Sequence, residues 1–294
     1  MNSIEKAIAR MTATPDTLNT SLRNTNLPQR TVTFPTAVAE KAVVEQKKAE
    51  QRSVSKIQKI SELNFEALAR DGYLTPNTMH SSLAEDYRFL KLSVLQLANS
   101  TETDQLECGN LVAITSSLRG EGKTFTSFNL AMSIALERDT TVLLIDGDLI
   151  GRSLTELLGL HNAIGLTDFL LDPQIDLCDI ILHTNVPKFR LIPAGRTYRD
   201  APELMASKKM QNLAADLSTR YDDRIVLFDT PPLLATSLGF VLTNLVKQIL
   251  VVVEEGKTPQ NRIIEALSLL DKGKAISMVL NKCPHRSKGS YYKY

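Results

Sequence analysis

Residues 111 to 125, which read LVAITSSLRGEGKTF, constrain the fold of this chain more than any other stretch. The apolar run from Leu111 to Thr115 has the character of a strand, and Ser116 to Gly122 form a small loop that contains glycine. Lys123 and Thr124 then open a helical pattern. A strand, a glycine-containing loop, Gly-Lys-Thr and a helix are together typical of a phosphate-binding P-loop. We therefore predict that this segment binds a nucleoside triphosphate.

The chemistry of such a loop requires these residue types. Backbone N–H groups of the loop and of the helix N-terminus point at phosphate oxygens, and Gly120 and Gly122 let the backbone approach without a Cβ. Lys123 supplies charge to the outer phosphates, and the Thr124 hydroxyl can ligate Mg²⁺. The general pattern begins with glycine six residues before the lysine, where this chain has Ser117. The alternative is a structural turn that only starts a helix.

Two further apolar runs end in aspartate. Residues 141–145 are followed by Asp146 and Asp148, and residues 224–228 are followed by Asp229. An aspartate at the carboxyl end of a parallel strand points into the crevice where such folds bind ligands. We expect a metal-binding or base role for the first two and an Mg²⁺-ordering role for Asp229. The alternative for the first two is a pair of turn-forming residues around glycine.

The order of the elements predicts the fold class. Apolar runs at residues 190–193, 248–253 and 275–280 indicate further strands, and residues 202–217 and 262–270 indicate helices. Strands that alternate with helices predict an α/β fold with an open, doubly wound, mostly parallel sheet and helices on both faces.

Composition narrows the functional classes. The net charge of +1 over 294 residues gives no argument for a nucleic-acid partner. Cys108, Cys178 and Cys283 are far apart, which disfavours disulfide, zinc and iron–sulfur sites and fits a reducing compartment. The N-terminus lacks the apolar core of a secretory signal, and the longest uncharged run, residues 230–246, is too polar for a spanning helix. We therefore expect a cytoplasmic protein.

The chain divides into four predicted parts. Residues 1–11 form a small amphipathic helix, and residues 12–80 form a linker that is partly disordered and includes a charged helix. Residues 81–285 form the P-loop domain. Residues 286–294 form a flexible tail that contains three tyrosines, Tyr291, Tyr292 and Tyr294.

The first helix of that domain, over residues 81–98, carries Glu85, Arg88 and Lys91 at three-residue steps. These side chains can pair within the helix or reach a neighbouring subunit. A tyrosine hydroxyl in the tail is a phosphoryl acceptor if a base and a γ-phosphate are near.

Together the motifs resemble the bacterial tyrosine kinases that accompany capsule and exopolysaccharide synthesis. The resemblance covers residues 82–294 and is carried by TSSLRGEGKT, VLLIDGD, ELMASKKM, RIVLFDTPP, VLNK and the tyrosine-rich end. A serine commonly replaces the first P-loop glycine in that family, so Ser117 supports the resemblance. The SIEKAIARM start and the long linker resemble the subgroup associated with exosortase systems.

This resemblance implies a P-loop NTPase fold of the MinD and Mrp type and an autokinase that uses ATP and Mg²⁺. It implies catalytic roles for Lys123, Asp146, Asp148 and Asp229, with Asp146 assisting deprotonation of the incoming tyrosine. Thr124, Asp148 and Asp229 would hold the metal, and Asn281 would lie beside the adenine. The nucleotide-binding residues would be Ser117, Gly120, Glu121, Gly122, Lys123, Thr124, Phe125 and Asn281.

The resemblance also implies a ring-like homo-oligomer in which Tyr291, Tyr292 and Tyr294 are phosphorylated in trans. The ring-forming helix of the family carries Glu-x-x-Arg-x-x-Arg. Here Lys91 follows Glu85 and Arg88, which keeps the charge but loses the bidentate fork. Contact with a neighbouring subunit then becomes the favoured interpretation. A membrane-anchored activator, a polysaccharide chain-length or co-polymerase protein, would recruit the chain to the inner face of the plasma membrane.

Two other functions are open. A non-kinase P-loop ATPase switch usually has a lysine five residues before the P-loop lysine, where this chain has Leu118. A regulatory module would hold nucleotide without transferring phosphate.

A second departure from the kinases follows Asp148, because Ile150 and Arg152 stand where relatives have arginine and proline.

Overall fold

The computed structural model describes residues 60–99, 109–220 and 223–283. The predicted helix at residues 1–11, the linker up to residue 59 and the three tail tyrosines lie outside these ranges. Within them, eight strands form one sheet. The strands are β1 (Ile60–Ser61), β2 (Leu111–Ser116), β3 (Thr141–Asp146), β4 (Leu182–Thr184), β5 (Phe189–Ile192), β6 (Arg224–Asp229), β7 (Gln248–Glu254) and β8 (Ala275–Asn281).

The sheet has the order β1-β4-β5-β3-β6-β2-β7-β8. Its neighbouring strands are parallel, with the exception of the β4–β5 pair. The P-loop strand β2 lies between β6 and β7, and β3 follows on the far side of β6. The prediction of a mostly parallel sheet is therefore confirmed.

The helices of the described ranges are α1 (Phe65–Arg70), α2 (Ser82–Ala98), α3 (Lys123–Ala135), α4 (Ser153–Leu157), α5 (Leu166–Leu171), α6 (Leu177–Ile180), α7 (Ala201–Met205), α8 (Lys208–Thr219), α9 (Ser237–Leu245) and α10 (Gln260–Ser268). None of them has both the length and the apolar character needed to cross a membrane. The helix predicted over 202–217 is divided into α7 and α8, because the Ser207 side chain accepts a hydrogen bond from the Met210 amide and caps a new helix.

Alternate residues of the central strands point to opposite faces of the sheet. In β2, Leu111 and Ala113 belong to one apolar cluster, and Val112 and Ile114 belong to the other. The first cluster includes residues of α5 to α10, and the second includes residues of α1 to α4. Helices thus cover both faces, and the doubly wound α/β prediction is confirmed.

The folded domain begins before residue 81, the boundary predicted from composition. Strand β1 pairs in parallel with β4, and Leu63, Leu68 and Leu74 are buried in the core. These leucines are five and six residues apart and do not form one helical or strand period. Their burial depends on contacts with distant segments, so local composition placed them in the linker.

Candidate active site

The loop between β2 and α3 has the backbone conformation that a phosphate cradle needs. Gly120 and Gly122 have φ angles of +83° and +96°, in the left-handed region that favours glycine. A Cβ at position 122 would lie 2.0 Å from Asn281 Nδ2. Gly122 is also the N-cap of α3, so the first amides of this helix adjoin the loop.

Side chains near the β7–β8 end of the sheet form hydrogen bonds with residues of this loop. Asn281 Nδ2 donates a hydrogen bond to the Glu121 carbonyl at 2.9 Å, and Lys282 Nζ donates to the Gly120 carbonyl at 2.6 Å. The Glu121 side chain is buried and accepts a hydrogen bond from the Thr258 hydroxyl. Glu121 therefore uses its carboxylate to fix the loop to the protein.

Two of the three residues predicted to bind metal, Thr124 and Asp229, meet at the start of α3. The Thr124 hydroxyl lies 2.7 Å from Asp229 Oδ2, and the Ser127 hydroxyl lies 2.9 Å from Asp229 Oδ1. Ser127 was not predicted, although it lies close to one helical turn after Thr124. No group of three or more His, Cys, Asp or Glu in the described ranges could hold a metal ion. A hydroxyl and a carboxylate fit an Mg²⁺ whose further ligands are phosphate oxygens.

Asp146 is fully buried beside Asp229, its register partner in the β3–β6 ladder. Its Oδ2 accepts hydrogen bonds from the Thr155 amide at 2.8 Å and the Thr155 hydroxyl at 2.6 Å. Its Oδ1 accepts a longer bond, 3.2 Å, from the Asp148 amide. Asp148 itself is partly exposed and accepts from the Gly151 amide at 2.7 Å.

Burial and mutual repulsion shift the pKa values of these groups. Desolvation, followed by the Asp229 charge, raises the pKa of Asp146 to about 7. Desolvation raises the pKa of Asp229 to about 6, against the opposing effects of the Thr124 hydrogen bond and Lys123. Burial lowers the pKa of Lys123, although Asp229 and Asp148 oppose this shift. The crowded carboxylates favour a divalent cation as an additional partner.

The side chains of two residues of the predicted nucleotide set, Phe125 and Ser117, are placed in the protein interior. The Phe125 ring contacts Tyr73 and Tyr87, with centroids 5.0 Å and 6.5 Å away, and packs in the apolar cluster beneath α2. The Ser117 side chain is buried, and its hydroxyl has no hydrogen-bond partner. Ser117 is itself a residue of the loop, and Phe125 belongs to the first turn of α3.

The three residues predicted to form a subunit contact take part in two separate ion pairs. Arg88 and Glu85 form an ion pair one turn apart, with both side chains exposed. Lys91 is buried and pairs with Glu137, which follows α3. Within one chain the Lys91 side chain therefore pairs with Glu137 and not with the exposed pair, and the subunit contact of these residues stays a prediction.

Sequence reasoning also missed Thr155, Thr258 and Lys282. Lys282 belongs to the VLNK segment but received no role. Arg152, one of the two residues at which the chain departs from the kinases after Asp148, donates to the His161 carbonyl at 3.1 Å and has a φ of +50°. It therefore supports the loop before α5.

Comparison with known proteins finds one matching domain family and relatives that are named tyrosine-protein kinases. Residues 109–267 match the AAA domain family. The chain is 29% identical over 216 residues to the putative tyrosine-protein kinase CapB of Staphylococcus aureus, covering 73% of this chain and 90% of that protein. It is 33% identical over 185 residues to the tyrosine-protein kinase YwqD of Bacillus subtilis, covering 62% of this chain and 76% of that protein.

A solved structure and a longer relative agree with this result. The kinase domain of the Escherichia coli tyrosine kinase ETK superposes with a TM-score of 0.63 at 27% identity, covering 83% of this chain and 97% of that one. The match to the tyrosine-protein kinase ptk of Acinetobacter johnsonii, at 33% identity, covers 61% of this chain and only 24% of that protein. The exosortase-associated subgroup stays a prediction.

Proposed function

The chain belongs to the bacterial tyrosine kinases, and from this premise we propose that it transfers the γ-phosphoryl group of ATP to tyrosine. The acceptors include Tyr291, Tyr292 and Tyr294 of its own C-terminal segment. The observation that carries this proposal is the contact of Thr124 with Asp229 beside a left-handed Gly120–Gly122 loop. This combination provides phosphate amides, a hydroxyl and a carboxylate in one place.

Each residue of the site has a proposed role. The amides from Gly120 to Phe125 bind phosphate oxygens, and Lys123 neutralises charge on the outer phosphates. Thr124, Asp148 and Asp229 would hold Mg²⁺, which would supply neutralisation of the phosphate charge. Ser117, Glu121 and Asn281 complete the nucleotide-binding loop, and the hydrogen bonds of Glu121 and Asn281 keep its shape before ATP arrives.

Asp146 is the proposed proton acceptor for the incoming phenol. A pKa of about 7 suits a general base at neutral pH. Its Oδ2 already carries both Thr155 hydrogen bonds, whereas Oδ1 carries only the weaker bond from Asp148. Oδ1 is therefore the atom that takes the proton, and Thr155 is a positioning residue that orients the carboxylate.

The proposal includes assembly and location. Trans phosphorylation in a ring-like homo-oligomer would use the exposed Glu85–Arg88 pair on α2, and Lys91 would support the helix from within the chain. A membrane-anchored chain-length or co-polymerase protein would recruit this cytoplasmic chain to the inner membrane face and control exopolysaccharide synthesis.

Intact-mass measurement after incubation with ATP and Mg²⁺ tests the kinase function. We expect added phosphates that map to Tyr291, Tyr292 or Tyr294 and that disappear in Lys123→Met. A Lys257→Met chain serves as a control because its exposed lysine lies outside the phosphate loop. ATP hydrolysis without any phosphotyrosine would support the ATPase switch, and ATP binding with neither would support a regulatory module.

A further inference from the structure

Five consecutive residues, 196 to 200, are exposed in the loop that joins β5 to α7. Tyr198 stands at the centre of this loop and is 38% exposed. Ala194 and Ala201, on either side, are buried in the core. The tyrosine is therefore presented by a short segment whose two ends are fixed.

This loop begins at the edge of the sheet that carries the candidate active site. Strand β5 lies beside β3 in parallel register, so the chain leaves β5 where Asp146 ends β3. The Ala194 amide donates to the Thr155 hydroxyl at 2.9 Å, and that hydroxyl donates to Asp146. Tyr198 is four residues beyond Ala194, which limits their separation to about 14 Å.

Two arginines flank the tyrosine in sequence. The Arg196 amide and its Nε both contact the Asp168 carboxylate, at 3.2 Å and 3.3 Å, so this part of the loop has a fixed geometry. Arg199 follows Tyr198 directly. Arginine forms charge-assisted hydrogen bonds with phosphate, and a phosphate added at Tyr198 would lie between these two cations in the chain.

The other described tyrosines are poorer candidates for modification. Tyr87 is buried, and Tyr73 packs against Phe125 and Phe128 with ring centroids 5.0 Å and 5.4 Å away. Desolvation raises the pKa of both phenols, which makes loss of their protons harder. Within residues 60–99, 109–220 and 223–283, Tyr198 is the tyrosine with an exposed side chain.

We infer that Tyr198 is an internal phosphate acceptor, modified by the active site of a second copy of the chain. This inference rests on the proposed kinase function. The Tyr198 phenol oxygen attacks the γ-phosphorus of ATP, and an oxygen–phosphorus bond forms. The bond between the γ-phosphorus and the β–γ bridging oxygen breaks, and ADP leaves. The phenol proton passes to a carboxylate of the second copy and then to water.

The geometry within one chain favours modification by a second copy. The P-loop strand β2 is three strand spacings from β5, or about 14 Å. The Thr155 hydroxyl also stands between the start of the Tyr198 loop and Asp146. The exposed loop is accessible to another molecule without either obstacle.

The experiment uses an acceptor chain that cannot phosphorylate itself. This full-length chain carries Lys123→Met together with Tyr291→Phe, Tyr292→Phe and Tyr294→Phe, and it is incubated with wild-type chain, ATP and Mg²⁺. A matched acceptor carries Tyr198→Phe in addition. We expect one phosphate on the first acceptor, mapped to the peptide that contains Tyr198, and at least a tenfold lower incorporation on the second.

The outcomes separate this inference from the kinase function. Tail phosphorylation of the wild-type chain in the same tube, with Tyr198 unmodified on the acceptor, overturns the inference and leaves the kinase function intact. Phosphate on another tyrosine of the acceptor in place of Tyr198 also overturns it. If the wild-type chain remains unmodified as well, both the inference and the proposed function fail.

Discussion

Asp146 and Asp229 are direct neighbours across the β3–β6 ladder, each the last residue of its strand and each buried. Burial raises the pKa of Asp146 to about 7 and that of Asp229 to about 6, from an ordinary value of 3.8. Between the ordinary pKa of an aspartate and the raised pKa of each of these two groups, the folded chain holds a proton that the unfolded chain has released. The contribution of both groups to stability is therefore complete below about pH 4 and is lost as pH rises through 6 and 7.

The first prediction follows from this loss of stability with rising pH. In the presence of a chelator and without nucleotide, Asp146→Asn should show a smaller loss of unfolding free energy between pH 5.5 and pH 8 than the wild type. The loss in the wild type should exceed that in the variant by roughly 2 kcal/mol over this interval. Urea unfolding at several pH values measures it. A wild-type loss equal to that of the variant would show that the Asp146 pKa is not raised in the folded chain.

The second prediction concerns the hydroxyl that joins Asp146 to the β5 loop. Thr155→Val removes a donor to Asp146 and an acceptor for the Ala194 amide, and it leaves the shape of the buried side chain nearly unchanged. We expect a loss of about 1–3 kcal/mol in unfolding free energy, because buried polar groups lose a partner. Urea unfolding gives the value.

Thr167→Val is the matched control for this change. Thr167 is also fully buried, but its hydroxyl has no hydrogen-bond partner. Replacing an unpaired buried hydroxyl by a methyl group should leave stability unchanged or raise it. Equal losses in the two variants would mean that the Thr155 hydrogen bonds contribute nothing to stability.

The third prediction tests the hydrogen bond from Lys282 to the P-loop backbone. Lys282 pairs with Glu254 and also donates to the Gly120 carbonyl, whereas Lys257 pairs with the same Glu254 and does not contact the loop. Lys282→Met should weaken nucleotide binding about tenfold, because the loop loses part of its preorganised shape. Lys257→Met should change it less than about twofold. Calorimetric titration with ADP and Mg²⁺ distinguishes them, and equal affinities would exclude a role for the Gly120 contact.

The parts of this site that sequence could predict are those coded by neighbouring residues. The glycine turn, Lys123 and Thr124 follow one another, and Asp146 and Asp229 directly follow apolar strands, so local pattern was sufficient to group them. The parallel sheet followed from the same runs. Sheet geometry then brings the carboxyl ends of β2, β3 and β6 to one edge, which is why residues far apart in the chain could be assigned to one site.

Contacts made by distant side chains could not be predicted in this way. The hydrogen bond from Thr258 to Glu121 joins residues 137 positions apart, and the bond from Lys282 to Gly120 spans 162 positions. Neither pair has a spacing that marks it in the sequence. The pair of Lys91 with Glu137 is a contact of the same kind: the position of Glu137 beyond α3, which helical spacing does not give, decides where the lysine side chain lies.

The fourth prediction separates the two roles of α2. Arg88 and Glu85 form an exposed pair, and Lys91 forms a pair with Glu137 in which the lysine side chain is 9% exposed. If α2 mediates self-association, Arg88→Ala should lower the self-association constant by at least about tenfold. Its unfolding free energy should change by less than about 0.5 kcal/mol, because exposed ion pairs contribute little to stability.

Lys91→Ala should give the opposite result. It removes the buried stem of the lysine and leaves Glu137 without its partner, so we expect a loss of about 1–3 kcal/mol in unfolding free energy and little change in association. Sedimentation velocity at several concentrations measures association, and urea unfolding measures stability. A drop in association for Lys91→Ala without a loss of stability would mean that Lys91 leaves Glu137 and contacts a neighbouring subunit, as the family resemblance implies.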